Sequence, residues 1–293
     1  MDTFDQKFQL QKPDQIPQKA LLNLAENTLI IHYDSSYLRL YNLSKLKSLG
    51  MIKIPSYEIS DFALIFNNRG ILLTTHEEKM FVIDVQNWEP LSVLFTELVP
   101  TYPSDNSAAD SKKFSLPQNY VCHSLESKSI SGEKSYAVAA YSNGLVLTFL
   151  LEKNTQNSTI EAKALDSFNM IEFHMSKTED ENVREMYKNL TNYRSDYLCK
   201  AKFSDHFDSI SLCVHECLQF LFIRNYQNNQ VIKTIPLNYF PTAIGISFDE
   251  RYIGIGTKEG LVLVLKRLDE TYNSGFNLDV FDGHFDKVDC VAF

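Results

Sequence analysis

The sequence predicts an all-β chain assembled from a unit of about forty residues, repeated along its length. Two patterns carry this. Short apolar strands recur in groups of three, separated by turns of two to four residues. The turns are rich in Asn, Asp, Ser and Gly, which tolerate the backbone reversals that tight turns need. Composition supplies a third. With 44% hydrophobic and 12% aromatic residues the chain can bury a substantial core, which excludes intrinsic disorder. There are 28 Lys plus Arg against 37 Asp plus Glu, a net charge of −9, so the chain does not read as a nucleic-acid binder held by phosphate contacts. No apolar run reaches the length of about 18 residues needed to span a bilayer, so no membrane insertion is expected. The start, Met1-Asp2-Thr3-Phe4-Asp5-Gln6, lacks the basic and then apolar order of a secretory signal.

The clearest copy runs from Ile59 to Val85. Phe62–Phe66 is apolar, Asn67-Asn68-Arg69-Gly70 turns, Ile71–Thr75 is a second strand, His76-Glu77-Glu78-Lys79 turns again, and Met80–Val85 is a third. In the copy from Ala20 to Leu43, Asp34-Ser35-Ser36 separates Thr28–Tyr33 from Tyr37–Asn42. From Tyr136 to Leu151, Ser142-Asn143-Gly144 joins two apolar runs, and Asn-Gly is the strongest short hairpin signal. Ala243–Phe248, Tyr252–Gly256 and Leu261–Leu265 repeat the order, and a weaker copy spans Leu198 to Ile223.

Comparable third-strand starts lie 42 residues apart (Tyr37 to Lys79) and 43 apart (Leu218 to Leu261), the length of one four-stranded propeller blade. Intervals of 66 and 73 residues elsewhere imply insertions, read at 100–118 and 172–192. The first is a Ser/Asp/Pro-rich surface loop by composition. The second is strongly charged and reads as an exposed helix or loop. The expected blades are residues 20–56, 59–98, 119–165, 196–236 and 240–281, with the start of a sixth at 282–293.

At the end of the chain, Phe281-Asp282-Gly283-His284-Phe285-Asp286-Lys287-Val288-Asp289-Cys290-Val291-Ala292-Phe293 resembles the Gly-His opening and innermost strand of a WD repeat. The Trp-Asp ending of that family's third strand is degenerate. Tyr41-Asn42, Ile83-Asp84 and Phe149-Leu150 stand in its place. The resemblance implies a WD-repeat-like β-propeller in which Gly283, His284 and Asp84 are structural turn residues. It also implies that most of the His–Asp relay that pins turns in the family is missing, so the blades must be held by apolar packing. Five blades and part of a sixth fit three readings: the front of a seven-bladed or longer chain, which is favoured; a ring whose open edge is covered by a partner; or a closing blade shared between Lys7–Leu10 and Lys287–Phe293.

Chemistry-bearing patterns are sparse. Cys213-Val214-His215-Glu216-Cys217 would put residues 213, 215 and 217 on one strand face, but no second Cys/His pair completes a zinc site. The five cysteines are odd in number and scattered, which predicts reduced thiols in the cytoplasm, with nuclear, cytoskeletal or ciliary placement as alternatives. No nucleophile elbow, phosphate-binding loop or HExxH motif is present, so no catalytic, metal or cofactor site is expected. Gly254-Ile255-Gly256, mid-strand, suggests room for a neighbouring backbone.

The expectation is therefore a non-catalytic scaffold, a protein–protein interaction subunit of an intracellular assembly with other protein subunits as partners. Candidate partner-binding residues are Trp88 and Tyr102 near the first insertion and Glu179, Asp180 and Arg184 in the second. The terminal strand 287–293 is a further surface, by strand addition. A propeller hydrolase working in the central channel is the alternative. It calls for polar inner strands, whereas Phe62–Phe66 and Ala243–Phe248 are apolar. A structural role in a cytoskeletal or ciliary assembly is a variant of the first reading.

Overall fold

The computed structural model describes residues 17–293 apart from 34–36, 55, 78, 89, 90, 100–119, 155, 157, 158, 193–196 and 274. Tyr102, the insertion 100–118 and Lys7–Leu10 lie outside the described residues. Among the described residues, twenty strands form five four-stranded antiparallel sheets, each made of consecutive strands in sequence order. Blade one is β1 (Pro17–Asn23), β2 (Thr28–Tyr33), β3 (Tyr37–Asn42) and β4 (Lys47–Lys53). Blade two is β5 (Ile59–Ile65), β6 (Gly70–Thr75), β7 (Met80–Trp88) and β8 (Leu91–Leu98). Blade three is β9 (Cys122–Ser129), β10 (Lys134–Tyr141), β11 (Leu145–Asn154) and β12 (Thr159–Asn169). Two helices follow, α1 (Met170–Lys177) and α2 (Glu181–Asn192). Blade four is β13 (Cys199–Phe203), β14 (Ile210–His215), β15 (Leu218–Asn225) and β16 (Gln230–Pro236). Blade five is β17 (Pro241–Ile246), β18 (Tyr252–Thr257), β19 (Leu261–Arg267) and β20 (Phe276–Asp282).

The first strands pack in series, β1 on β5, β5 on β9, β9 on β13 and β13 on β17, which makes them the inner strands of a radial array, a β-propeller. A sheet in such an array has a neighbour on each face, so its middle strands are apolar on both. In β6 all six residues are buried. Ile71 and Leu73 face Ile30, Leu38 and Leu40 of blade one. Leu72, between them, faces Leu147 and Phe149 of blade three. Val138, Val146 and Phe168 meet Cys213 and Phe222 at the next junction. Leu212, Val214 and Leu221 meet Ile253, Ile255 and Leu263 at the fourth.

Apolar packing does not act alone, contrary to the expectation from the missing His–Asp relay. A clamp recurs where the turn between second and third strands meets the residue leading into the inner strand. In blade two the His76 N–H donates to the Glu58 carbonyl (2.9 Å), and the Glu58 N–H returns a bond to the Glu77 carboxylate (3.2 Å). Ser142 and Val121 do the same in blade three, with the Ser142 hydroxyl as acceptor (2.9 and 3.3 Å). Glu216 clamps Leu198 in blade four (2.8 and 3.0 Å). In blade five the Lys258 N–H donates to the Phe240 carbonyl (2.8 Å), and Glu259 accepts from the Phe240 N–H (3.3 Å). A glutamate or serine after the second strand thus ties the inner strand of blades two to five to its own sheet.

Polar bonds also cross between blades. Asp84, read from the sequence as a turn residue, lies within β7 between β6 and β8, and its Oδ2 pairs with Lys153 Nζ of blade three at 2.6 Å. Arg224 and Asp166 form a fully buried ion pair at 2.6 Å between blades three and four, with the guanidinium 3.8 Å over the Phe168 ring. Burial raises the Asp166 pKa, and Arg224 offsets part of that rise. Insertion 172–192 is a docked helical pair. Asn169 caps α1 through Ile171 N–H at 3.0 Å, and Phe173, Val183 and Tyr187 pack on the core that holds Phe222. Among the described residues no helix is long and apolar enough to cross a membrane.

Glu250, in the turn between β17 and β18, is 2% exposed and joins blade four to blade five. Its carboxylate accepts from the Ser204 hydroxyl (2.6 Å), the His206 N–H (2.9 Å), the Tyr272 hydroxyl (3.0 Å) and the Asp205 N–H. Its backbone is left-handed, with φ 52°. Stranding several buried donors outweighs the relief of backbone strain, which is worth about 1 kcal/mol. Glu250→Ala is therefore expected to lower unfolding free energy by about 3 kcal/mol, and Glu250→Gly by about 1 kcal/mol less. Urea denaturation checks both; unchanged midpoints would refute the joint.

Candidate functional site

The two inner strands read as apolar, Phe62–Phe66 and Ala243–Phe248, are largely so, but the others differ. β9 reads Cys-His-Ser-Leu-Glu-Ser-Lys-Ser and β13 reads Cys-Lys-Ala-Lys-Phe, so two of the five inner strands are polar. Each inner strand has an edge with no strand beside it, and side chains of neighbouring blades satisfy its backbone. The Asp61 carboxylate of β5 accepts from the Leu125 N–H of β9 at 2.7 Å. Lys19 of β1 pairs with Asp61 at 2.9 Å and donates to the Leu125 carbonyl at 3.0 Å. Lys200 donates to the His123 carbonyl at 2.7 Å, and Lys128 to the carbonyls of Ser204 and Asp205, both at 2.9 Å. The channel's charge is thus engaged in joining strands rather than poised as a base or nucleophile.

A cavity of about 640 Å³ opens at one end of this axis, lined by Lys19, Leu22, Leu64, Asn68, Lys128 and Asp205 among others. That end carries the turns between first and second strands. Three of those turns hold a large apolar side chain in solvent: Leu24 of blade one (77% exposed), Ile130 of blade three (51%) and Phe248 of blade five (92%). Leu46 and Leu268, in the turns between third and fourth strands at the same end, are exposed too. Single exposed apolar residues are ordinary; several at one end of the array make that end the candidate contact surface.

The expected site residues fall elsewhere. Trp88 is not an exposed anchor: it is buried at 9% exposure in the core between blades one and two, because β7 extends far enough to carry it there. Asp180 is the N-terminal cap of α2, accepting from the Asn182 N–H at 2.9 Å, and Arg184 Nε donates to the Thr178 carbonyl at 2.7 Å. Glu179 is exposed beside them. Gly283 and His284 are exposed after β20, and the His284 carbonyl sits over Gly260. Sequence reasoning missed the cavity mouth; the signal was Leu24 and Phe248 standing inside turns that otherwise use polar residues.

His215 does not offer a metal ligand. Its Nδ1 accepts the Cys217 N–H at 3.1 Å and its Nε2–H donates to the Ser142 carbonyl of blade three at 3.0 Å, so both ring nitrogens hold backbone. Burial pushes the Cys213 thiol up to about 11 and the Cys217 thiol up to about 12, away from the thiolate a metal needs.

The fold is similar to that of a chain in the mitotic checkpoint complex crystal structure, with a TM-score of 0.62 and 8% identity over 96% of this chain and 69% of that one. It is also similar to the β-propeller domain of Cps50 (Swd1) from Myceliophteria thermophila, with a TM-score of 0.58 and 11% identity over 92% of this chain and 75% of that one. At these identities the likeness establishes the class, a β-propeller. No family model and no curated protein match the chain.

Burial lowers the His215 pKa below its ordinary value, with the bond to the Ser142 carbonyl opposing in part, and the Nδ1 that accepts from Cys217 requires the neutral ring. A base with a lowered folded pKa contributes stability above the unfolded value that is lost as pH falls below it. Unfolding free energy is therefore expected to decline as pH drops from 6.5. His174, also lowered by burial, adds to the slope. His215→Gln is expected to cost about 2 kcal/mol at pH 8 and to show a shallower decline. Urea titrations from pH 8 to 5 measure it; parallel curves would disprove the assignment.

Proposed function

We propose that this chain is a non-catalytic, degenerate WD-repeat-like propeller that serves as an interaction subunit of a multiprotein assembly. The observation that carries the reading is the set of exposed apolar side chains Leu24, Ile130 and Phe248, each in a turn between first and second strands at the end of the array where the cavity opens. A rigid disc that presents apolar anchors over a polar, internally satisfied channel suits the capture of a protein surface. The similarity to chains from a checkpoint complex and from Swd1 supports a role among protein subunits. The channel supports no reaction of its own, because the lysines and Asp61 there are bonded to neighbouring strands. Cytoplasmic residence accords with five free cysteines.

Replacing Leu24, Ile130 and Phe248 together with Glu is expected to leave the thermal midpoint within about 2 °C of wild type, since all three are solvated. The same variant is expected to reduce recovery of stably co-purifying proteins by about ten-fold, as loss of two or three anchors should. Quantitative mass spectrometry on tagged wild type and variant decides it. Undiminished recovery, or turnover of a small substrate by the purified chain, would overturn the reading.

A further inference from the structure

The turn between β10 and β11 carries the one Asn-Gly pair in the sequence, Asn143-Gly144. Asparagine before glycine is the dipeptide most prone to deamidate, because no Cβ hinders attack of the glycine nitrogen on the asparagine side chain. In this turn two requirements of the reaction are met and one is withheld. Asn143 is half-buried, so water reaches it. Its Oδ1 accepts the Leu145 N–H at 3.1 Å, which polarises the side-chain carbonyl toward a nucleophile. The nucleophile is held back, because the Gly144 N–H donates to the Tyr141 carbonyl at 2.9 Å.

The start of α1 keeps that bond in place. The Gly144 carbonyl accepts from the Met170 N–H at 2.9 Å, where the β11–β12 ladder runs on into the helix. Ile171, buried in the first turn of α1, lies over the glycine, and a Cβ on Gly144 would stand 2.9 Å from Ile171 Cγ1. Asn169, paired with Leu145, caps the same helix. The turn is thus pressed between its own hairpin and α1, and cannot reshape into a ring until the helix lifts. Its neighbour Ser142 holds Val121 and accepts from His215, so a change here also reaches blade four.

We propose that Asn143 is a deamidation site gated by α1, converted to aspartate or isoaspartate when α1 lifts from the β10–β11 turn. The Gly144 nitrogen loses its proton and bonds to Asn143 Cγ. The Cγ–Nδ2 bond breaks, and ammonia leaves with that proton. One water molecule then cleaves the cyclic imide. Cleavage at Cγ gives aspartate, and cleavage at the main-chain carbonyl gives isoaspartate, whose backbone carries one extra methylene. That methylene displaces the Gly144 carbonyl from Met170, so an isoaspartyl chain cannot reseat α1. The modification is a one-way record of opening and stands apart from the interaction-subunit reading.

The purified full chain is held at pH 8, folded or unfolded in urea, and Asn143 is followed by peptide mapping with fragmentation that separates aspartate from isoaspartate. Conversion is expected to be about a hundred-fold slower in the folded chain, since the rate follows the open population. Ile171→Ala is expected to speed it about ten-fold in the folded chain, whereas Leu263→Ala, a buried truncation in blade five, leaves it unchanged. The isoaspartyl fraction, separated by ion exchange, is expected to exchange its α1 amide hydrogens about ten-fold faster than the unmodified chain, with the β14–β15 ladder unaffected. Asn143→Asp carries the charge without the methylene and is expected to keep α1 protected. Equal conversion in folded and unfolded chains, or equal acceleration by Leu263→Ala, overturns the gate. An isoaspartyl chain whose α1 amides stay protected overturns the displacement of the helix.

Discussion

Radial stacking leaves the inner edge of every sheet without a strand to pair with, and much of this structure answers that constraint. A backbone N–H or carbonyl buried near the axis costs about 1–3 kcal/mol if it finds no partner. Here the partners are side chains reaching from the neighbouring blade. Asp61 takes the Leu125 N–H, Lys200 and Lys128 take carbonyls across the junction of blades three and four, and Thr242 takes the Val288 carbonyl. These bonds explain why β9 and β13 are polar although they lie at the centre of the molecule.

The same logic sets what the axis can do. A lysine whose ammonium donates to two carbonyls is neither a free base nor a free cation for an incoming anion. The proposed contact surface therefore lies outside the axis, on turns whose exposed residues the sheets do not bury. Leu24 and Phe248 are costly in water and do not stabilise the sheets they cap, so their placement points to a surface that is covered in use.

Between blades the division of labour is uneven. Apolar contact supplies most of the area, with clusters at all four junctions. Charge supplies position. The Arg224–Asp166 pair is an uneconomical way to hold two sheets, since desolvation offsets much of its attraction, yet removing either partner would strand a buried charge. Glu250 and the recurring Glu or Ser clamps act likewise at the turns. They pin the turns to the inner strands without a His–Asp relay.

The five sheets were legible in the sequence because their middle strands are apolar on both faces and their turns are chemically marked, as at Asn143-Gly144, where the glycine has φ 80°. Such signals are local, and local sequence determines strand and turn. The polar inner strands β9 and β13, the burial of Trp88 and the docking of α1 and α2 were not legible, because each depends on which blade stands opposite. Cys122–Ser129 looks like a loop until a neighbouring strand gives its polar atoms a partner. Glu77, Glu216 and Glu259 look like solvated surface until the chain returns, eighteen or nineteen residues away, to be clamped. Periodicity is written along the chain, whereas satisfaction of a buried polar group is a relation between segments that only tertiary structure brings together.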